Sequence, residues 1–148
     1  MLTNLFFGLS TMVVCLLLQA WLVVVALRYY VRHEHDIRSP SLWSSLTVIS
    51  SVMLLLVLGN LCQVGIWALL FLLLGEFQAF SEAYYHSMVN FATLGYGDFV
   101  MSEEHKLLGP LEAVNGVIMI GLSSAMLLAA FQDAMKQTIA ARRPGRGM

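Results

Sequence analysis

Three long apolar segments dominate the chain and limit the folds open to it. Residues 5–27, 42–74 and 107–131 each reach the length of about 20 residues that a helix needs to cross a bilayer. None of the three contains a run of Lys or Arg, and Glu112 is their single acidic residue. Only 11% of the whole chain is charged, against roughly 25% in soluble domains. The sequence therefore predicts an all-α, polytopic membrane protein with three transmembrane helices.

The charged residues between these segments predict an orientation. The first segment is not typical of a cleaved signal peptide, because MLTNLFFGLS has no basic residue and the apolar stretch is too long. Connection 28–38 and the region after residue 131 are rich in Lys and Arg, whereas connection 75–106 holds five acids against Lys106. Lys and Arg collect on the cytoplasmic side. We therefore expect the N-terminus and the acidic connection outside and the C-terminus in the cytoplasm.

A shorter apolar stretch lies within the acidic connection. Residues 80–92 would form about 20 Å of helix, which is too short to span a bilayer. They predict a re-entrant half-helix that enters from the outer side. Irregular backbone at membrane depth is tolerated only where protein buries it or where it lines a water-filled path.

The half-helix is followed by the sequence TLGYGD, residues 93–98. Gly95 and Gly97 stand two apart, and glycine adopts positive φ at little cost. A backbone that alternates between conformations of opposite hand can point successive carbonyl oxygens toward one axis. One chain supplies one strip of oxygens, so four copies around a fourfold axis would form stacked rings able to replace the water shell of a cation.

TLGYGD resembles TVGYGD, the selectivity-filter signature of potassium channels, and differs from it at Leu94. The resemblance extends over residues 42–130, which correspond to the outer helix, pore helix, filter and inner helix of that family. It implies a filter formed by residues 93–97 in a homotetramer, with K⁺ as the permeant ion. The resemblance places dehydrated K⁺ against the Thr93 hydroxyl and the carbonyl oxygens of Thr93, Leu94, Gly95 and Tyr96.

The resemblance also assigns roles to residues around the filter. Tyr96 would face away from the ion path and pack against the half-helix, and Asp98 would close the outer mouth, attract cations and hydrogen-bond behind the filter. An aromatic pair of the family's pore helix falls on Tyr85 and His86, so that an imidazole replaces the ring that usually donates toward the filter. Val89 stands where some members have a Glu that pairs with the aspartate.

The third apolar segment offers a candidate gating hinge. Gly121 precedes Leu122-Ser123-Ser124, as a glycine does in the family's inner helix. The alternative for Gly121 is close helix packing, which small residues favour in membranes, and Gly116 competes with it as a hinge.

Two polar residues on the same segment share a helix face, namely Glu112 and Asn115. An ionisable group inside a span is a functional candidate. Glu112 either takes part in conduction, is solvated near the outer interface, or bonds to the half-helix region. Asn115 is a candidate cavity-lining residue.

The first two segments carry fewer functional signals. Residues 42–74 exceed the bilayer thickness, and distortion is expected near Gly59 and between residues 63 and 65. Asn60 and Gln63 are expected to hydrogen-bond to a neighbouring helix. The first span has no counterpart in a minimal two-helix pore, and we expect it to pack outside the outer helix and to face lipid.

Several functions are disfavoured. Arg28 and Arg32 stand four apart, unlike the arginines that repeat every third residue in a voltage sensor. The sequence shows no metal-ligand cluster and no nucleophile with a suitably spaced base, so we expect no enzyme activity, and it indicates neither nucleic-acid binding nor a small-molecule substrate. His33 and His35 either titrate near neutral pH or belong to a solvated charged loop.

The sequence thus predicts three regions: an N-terminal span with its cytoplasmic connection (residues 1–38), a potassium-channel pore domain (39–135) and a short basic tail at the lipid headgroups (136–148). The predicted function is passive, potassium-selective conduction through a homotetramer in the cytoplasmic membrane. The alternatives are a weakly selective cation channel and a non-conducting membrane subunit that modulates a partner complex.

Overall fold

The structure is a computed structural model and describes residues 1–33 and 42–141, which are all-helical apart from turns and connections. The helices within these two ranges are α1 (Leu2–Arg32), α2 (Leu42–Leu73), α3 (Phe80–Phe91) and α4 (Leu108–Ala141). The helices α1, α2 and α4 are long and apolar enough to cross a membrane. The predicted fold class is confirmed. His35, Arg38 and the basic residues after 141, which entered the orientation argument, lie outside the described residues.

The helix bounds follow the sequence prediction closely in the middle of the chain and less well at its ends. The half-helix expected at residues 80–92 is α3, which ends one residue earlier. α2 is helical without interruption through Gly59 and Gly65, so the helix does not break at either glycine. The last helix continues ten residues beyond the predicted span, because residues 132–141 contain strong helix formers even though they are no longer apolar. The predicted tail therefore begins inside α4.

The chain divides into two compact units. The first consists of Met1–Ala20 and Leu58–Gly121, and the second of Trp21–Val57 and Leu122–Met148. The first unit holds α3 and the connections on both of its sides, and therefore the whole TLGYGD segment.

The first unit is packed around buried aromatic residues of α2. Trp67 and Phe71 are fully buried, with Cys15 of α1, Ala83 of α3 and Leu108 of α4 in the same cluster. A smaller buried cluster joins α2, α3 and α4 through Val64, Phe91 and Met119. Lipid is as apolar as these side chains, so van der Waals packing and hydrogen bonds, more than the hydrophobic effect, hold such clusters together.

α1 packs against two helices within the first unit. Gln63 of α2 donates a hydrogen bond of 2.8 Å to Gln19 of α1, which confirms the bond expected between Gln63 and a neighbouring helix. A Cβ at Gly8 would lie 2.5 Å from Leu111 of α4, so α1 also approaches α4 closely. α1 is thus not confined to the outside of α2. Its remaining side, which includes Leu17, is exposed, as a lipid-facing surface would be.

The second unit has its own core. It contains Ala26 and Tyr30 of α1, residues of α2 between 48 and 56, and Ala130 and Ala134 of α4. The Tyr30 hydroxyl lies 3.0 Å from a carboxylate oxygen of Asp133 and 3.2 Å from the carbonyl oxygen of Ala130. A polar group among apolar side chains is costly without such partners.

Candidate functional site

The C-terminal end of α2 turns sharply at Gly75. This residue has φ +76°, and the backbone N–H groups of Gly75 and Glu76 bond to the carbonyl oxygens of Leu72 and Phe71. These two bonds are those of a Schellman motif, in which glycine suits the left-handed position. The turn directs Glu76 back toward the segment that follows TLGYGD.

Glu76 fastens the end of α2 to that segment. Its carboxylate accepts hydrogen bonds from the backbone N–H of Ser102 at 2.7 Å and from the Ser102 hydroxyl at 2.6 Å, and it lies 2.6 Å from Nδ1 of His105. Burial would raise the pKa of Glu76, but the hydrogen bonds from Ser102 and His105 outweigh it and lower this pKa. We call these contacts of Glu76 with Ser102 and His105 the Glu76 clasp. The sequence did not predict them, because Glu76 is more than 20 residues from both partners and no local pattern links them.

The end of α3 places Thr93 in an unusual conformation. The backbone N–H of Thr93 donates to the carbonyl oxygen of Asn90 at 2.8 Å, and the backbone N–H of Leu94 donates to the carbonyl oxygen of Val89 at 2.9 Å. This is again the Schellman pattern. Thr93 occupies the left-handed position with φ +58°, where glycine is usual and a β-branched residue is strained.

Positive φ recurs at alternate residues of TLGYGD. Gly95 has φ +58° and Gly97 has φ +74°, whereas Leu94 and Tyr96 have no positive φ. The backbone therefore alternates between opposite hands from Thr93 to Gly97. The alternation predicted from the two glycines is confirmed, and Thr93 extends it by one residue that the sequence did not predict. Consecutive carbonyl groups in such a strip can point to the same side.

The side chains of this strip are largely uncovered within one chain. Tyr96 is 67% exposed, and among the described residues its ring makes no aromatic contact with α3. The packing expected between Tyr96 and the half-helix stays a prediction. Leu94 is also exposed.

Asp98 is held from behind by α3. The Tyr85 hydroxyl donates a hydrogen bond of 2.8 Å to Oδ2 of Asp98, and the backbone N–H of Phe99 bonds to Oδ1 at 3.1 Å. The bond from Tyr85 lowers the pKa of Asp98 and raises the pKa of the Tyr85 phenol. The predicted hydrogen bond behind the strip is confirmed, with a phenol as donor. It leaves Asp98 ionised at neutral pH.

His86 provides a second link between α3 and the residue after Asp98. Its Nδ1 lies 3.0 Å from the carbonyl oxygen of Phe99, and its Nε2 lies 2.9 Å from Nδ2 of Asn90. A carbonyl oxygen only accepts, so Nδ1 carries the hydrogen and Nε2 accepts from Asn90. Burial between Phe71 and Phe77 lowers the pKa of His86, which favours the neutral ring.

A pocket of about 640 Å³ lies beside the strip. It is lined by residues of α3, of TLGYGD and of the start of α4, among them His86, Asn90, Thr93, Gly97 and Pro110. The pocket is open in the single chain.

The two polar residues of α4 are buried inside the first unit. Glu112 and Asn115 have no exposed surface. The Ser87 hydroxyl of α3 hydrogen-bonds to Oε1 of Glu112, which confirms the expected bond to the half-helix region and makes the solvated alternative wrong. Asn115 does not line an open cavity in the chain.

The two candidate hinge glycines of α4 differ in their surroundings. A Cβ at Gly116 would lie 2.0 Å from the carbonyl oxygen of Phe91, so that α4 needs a glycine there to pass the end of α3. At Gly121 no atom lies within 4 Å of the Cβ position. Close packing within the chain therefore explains Gly116 and does not explain Gly121.

This architecture defines a class of protein. Three membrane-spanning helices, with a short helix and a strip of alternating hand between the second and the third, form a multi-pass membrane protein. Hydrogen bonds with α3 and with Glu76 after α2 hold the irregular backbone in place.

The comparisons with known proteins identify the family. A family model described as "Ion channel" matches residues 53–133, just over half of the chain, and the chain belongs to this family. No curated protein and no solved structure matches the chain. Membership implies a channel and not an enzyme. The matched region begins within α2 and includes α3, TLGYGD and most of α4, so α1 lies outside it.

Proposed function

We propose that this protein is a potassium-selective channel that conducts passively through a homotetrameric pore, with residues 93–97 as the filter and Asp98 at the outer mouth. The observation that carries the proposal is the alternating backbone of TLGYGD, with positive φ at Thr93, Gly95 and Gly97, in a chain of the ion channel family. Rings of carbonyl oxygens can replace the hydration shell of K⁺, and one chain contributes one oxygen to each ring.

The strain at Thr93 supports a role for its hydroxyl. A side chain in the left-handed conformation costs roughly 1–2 kcal/mol, which glycine would avoid. Strained residues persist at functional sites when the strain serves the function. A hydroxyl at the inner end of the strip would add an oxygen ligand for K⁺ that glycine lacks.

The uncovered surface around the strip supports assembly. Leu94, Tyr96 and Val100 are exposed large apolar residues on either side of the charged Asp98. Lipid would solvate the apolar side chains but not Asp98. A neighbouring copy of the chain would cover Leu94 and Tyr96 and leave Asp98 at a water-filled mouth. On α4, the exposed residues Val114, Val117 and Ile118 recur at helical spacing and supply a further surface for such contacts.

One contact supports the proposed orientation. Asn4, at the start of α1, donates a hydrogen bond to the carbonyl oxygen of Glu104. The N-terminus and the acidic connection therefore lie at the same end of the first unit, as the orientation with both of them outside requires. The C-terminus is then cytoplasmic, and we place the protein in the cytoplasmic membrane. Gly121, whose Cβ position is open, remains the proposed gating hinge.

The proposal is tested by the reversal potential of the purified protein in planar bilayers, with K⁺ on one side and Na⁺ on the other. We expect a reversal potential set by K⁺. A value near zero would indicate the weakly selective cation channel, and an intact assembly without current would indicate the non-conducting subunit. Protein carrying Gly97→Ala serves as the control for current from contaminants, because the strip needs positive φ at this position.

A further inference from the structure

The Ser87 hydroxyl touches two oxygen atoms but has one hydrogen to donate. Its Oγ lies 2.8 Å from the carbonyl oxygen of Val64 in α2 and hydrogen-bonds to Oε1 of Glu112 in α4. A carbonyl oxygen has no hydrogen, so the contact with Val64 uses the hydrogen of Ser87. The contact with Glu112 then needs a hydrogen from the carboxyl group. Both contacts are satisfied together only when Glu112 is protonated.

The surroundings of Glu112 also favour the protonated carboxyl group. Glu112 has no exposed surface, and its Oε2 has no hydrogen-bond partner among residues 1–33 and 42–141. The salt bridges in the described part of the chain join His105 with Glu76 and Lys106 with Glu103, so none compensates a charge on Glu112. An ionised, unpaired carboxylate in such a place costs far more than a neutral acid.

The groups that face Glu112 offer no cation. α3 presents Ser87 and Asn90 to the carboxyl group, and neither of them titrates. α1 presents the thiol of Cys15, which is the titratable neighbour of the carboxyl group. Among residues 1–33 and 42–141, no cationic side chain is therefore paired with the carboxyl group of Glu112.

We propose that Glu112 is a buried neutral carboxylic acid that donates its hydrogen to Ser87 and acts as a positioning residue for TLGYGD. Its hydrogen ties α3 to α4, and the hydrogen of Ser87 ties α3 to α2. Three residues further along α3, Asn90 bonds to His86, which bonds to Phe99 just beyond TLGYGD. The helix that carries the strip is thus fixed to both neighbouring helices and, through His86, to the far end of the strip.

Infrared difference spectroscopy tests the protonation without any current. The spectrum of the full-length protein in membranes at neutral pH is compared with that of Glu112→Gln. We expect the variant to lose the carbonyl stretch of one protonated carboxylic acid per chain and to keep all carboxylate bands. The matched control is Glu103→Gln, whose side chain is 89% exposed and paired with Lys106, and which should lose carboxylate bands alone. Loss of carboxylate bands in Glu112→Gln would overturn the proposal.

Ser87→Ala tests the direction of the hydrogen bond in a second variant. Without the Ser87 oxygen, the acid of Glu112 loses its acceptor, and its carbonyl stretch should shift to higher frequency while remaining present. An unshifted band would show that the hydrogen does not go to Ser87 and would also overturn the proposal.

The positioning role is tested by the conductance of two Glu112 variants. This experiment, unlike the infrared measurements, rests on the proposed function. The amide of Glu112→Gln can still donate to Ser87, so this variant should keep the conductance of the wild type, whereas Glu112→Leu, of similar volume but without a donor, should lose it. Equal conductance of the two variants contradicts the positioning role. If the wild type carries no current, the infrared result still stands, so the two proposals fail separately.

Discussion

At the scale of single residues, backbone conformation and side-chain chemistry compete along TLGYGD. Glycine supplies positive φ at two of the three alternate positions, and at both the space around a Cβ is empty within the chain. The third position holds Thr93, which keeps a side chain at a conformational cost. Conformation, and not lack of space within the chain, therefore sets the residue type at Gly95 and Gly97, while the proposed need for an oxygen ligand explains Thr93.

The residue-scale prediction concerns Gly95. Gly95→Ala should abolish K⁺ current in bilayers, because an L-residue at φ +58° costs roughly 1–2 kcal/mol in each chain and the strip would leave its alternating conformation. D-alanine introduced at residue 95 by semisynthesis carries the same methyl group but prefers positive φ, and it should keep the current. Equal loss with both enantiomers would show that volume, not handedness, is limiting, and would contradict this explanation.

The sequence predicted part of this local geometry. The spacing of Gly95 and Gly97 was sufficient to predict alternation, because only glycine adopts positive φ freely. The positive φ of Thr93 could not be predicted, since a β-branched residue disfavours the conformation that the end of α3 imposes on it. A bond behind the strip was expected for Asp98, but the phenol of Tyr85 as its donor depends on how α3 is rotated, which a sequence pattern does not specify.

At the scale of elements, two contacts fix the helices around the strip. α4 passes the end of α3 at Gly116, next to the carbonyl group of Phe91, and Glu76 at the end of α2 holds the segment around Ser102. The helix bounds were largely predictable from apolar runs, and these contacts were not, because each depends on residues distant in sequence. The continuity of α2 through Gly59 and Gly65 shows that a glycine lowers helix propensity without ending a long apolar helix.

The two glycines of α4 give a prediction with an internal control. Gly116→Ala should displace the end of α3, destabilise the protein by about 1–3 kcal/mol through overpacking and reduce K⁺ current. Gly121→Ala meets no atom within the chain, and alanine has the higher helix propensity, so it should keep or slightly raise thermal stability and alter the opening probability without changing selectivity. Thermal unfolding and single-channel recording distinguish the two. Equal thermal stability of both variants would contradict the close contact at Gly116.

The Glu76 clasp predicts a pH dependence. Because the folded-state pKa of Glu76 is lowered, its ionisation stabilises the fold above the ordinary value of 4.5, and this stability is lost as the pH falls through the lower folded-state pKa. Glu76→Gln should therefore be less stable than the wild type at pH 7 by roughly 1.5–3 kcal/mol, the range for hydrogen bonds to a charged group. The difference should shrink below pH 4.5. A difference that does not change with pH would contradict the role of the charge.

At the scale of the whole molecule, the packing of α1 was the feature that the sequence predicted least well. Its segment is apolar along most of its length, so no face was distinguishable, and it was expected only outside α2. In the first unit it packs against α2 through Gln19 and against α4 through Gly8, and it lies outside the region that matches the ion channel family. α1 therefore links α2 and α4 within the first unit.

The central claim is that four chains bring their TLGYGD strips around one axis and that the carbonyl oxygens bind dehydrated K⁺ there. It is tested most directly by an experimental structure of the protein purified in K⁺ and, as a control, in Na⁺. We predict a fourfold assembly with ion density between the strips, level with Thr93 to Tyr96, that is present in K⁺ and changed in Na⁺. A chain whose TLGYGD segment faces lipid, or an assembly without a shared axis at this segment, would contradict the claim.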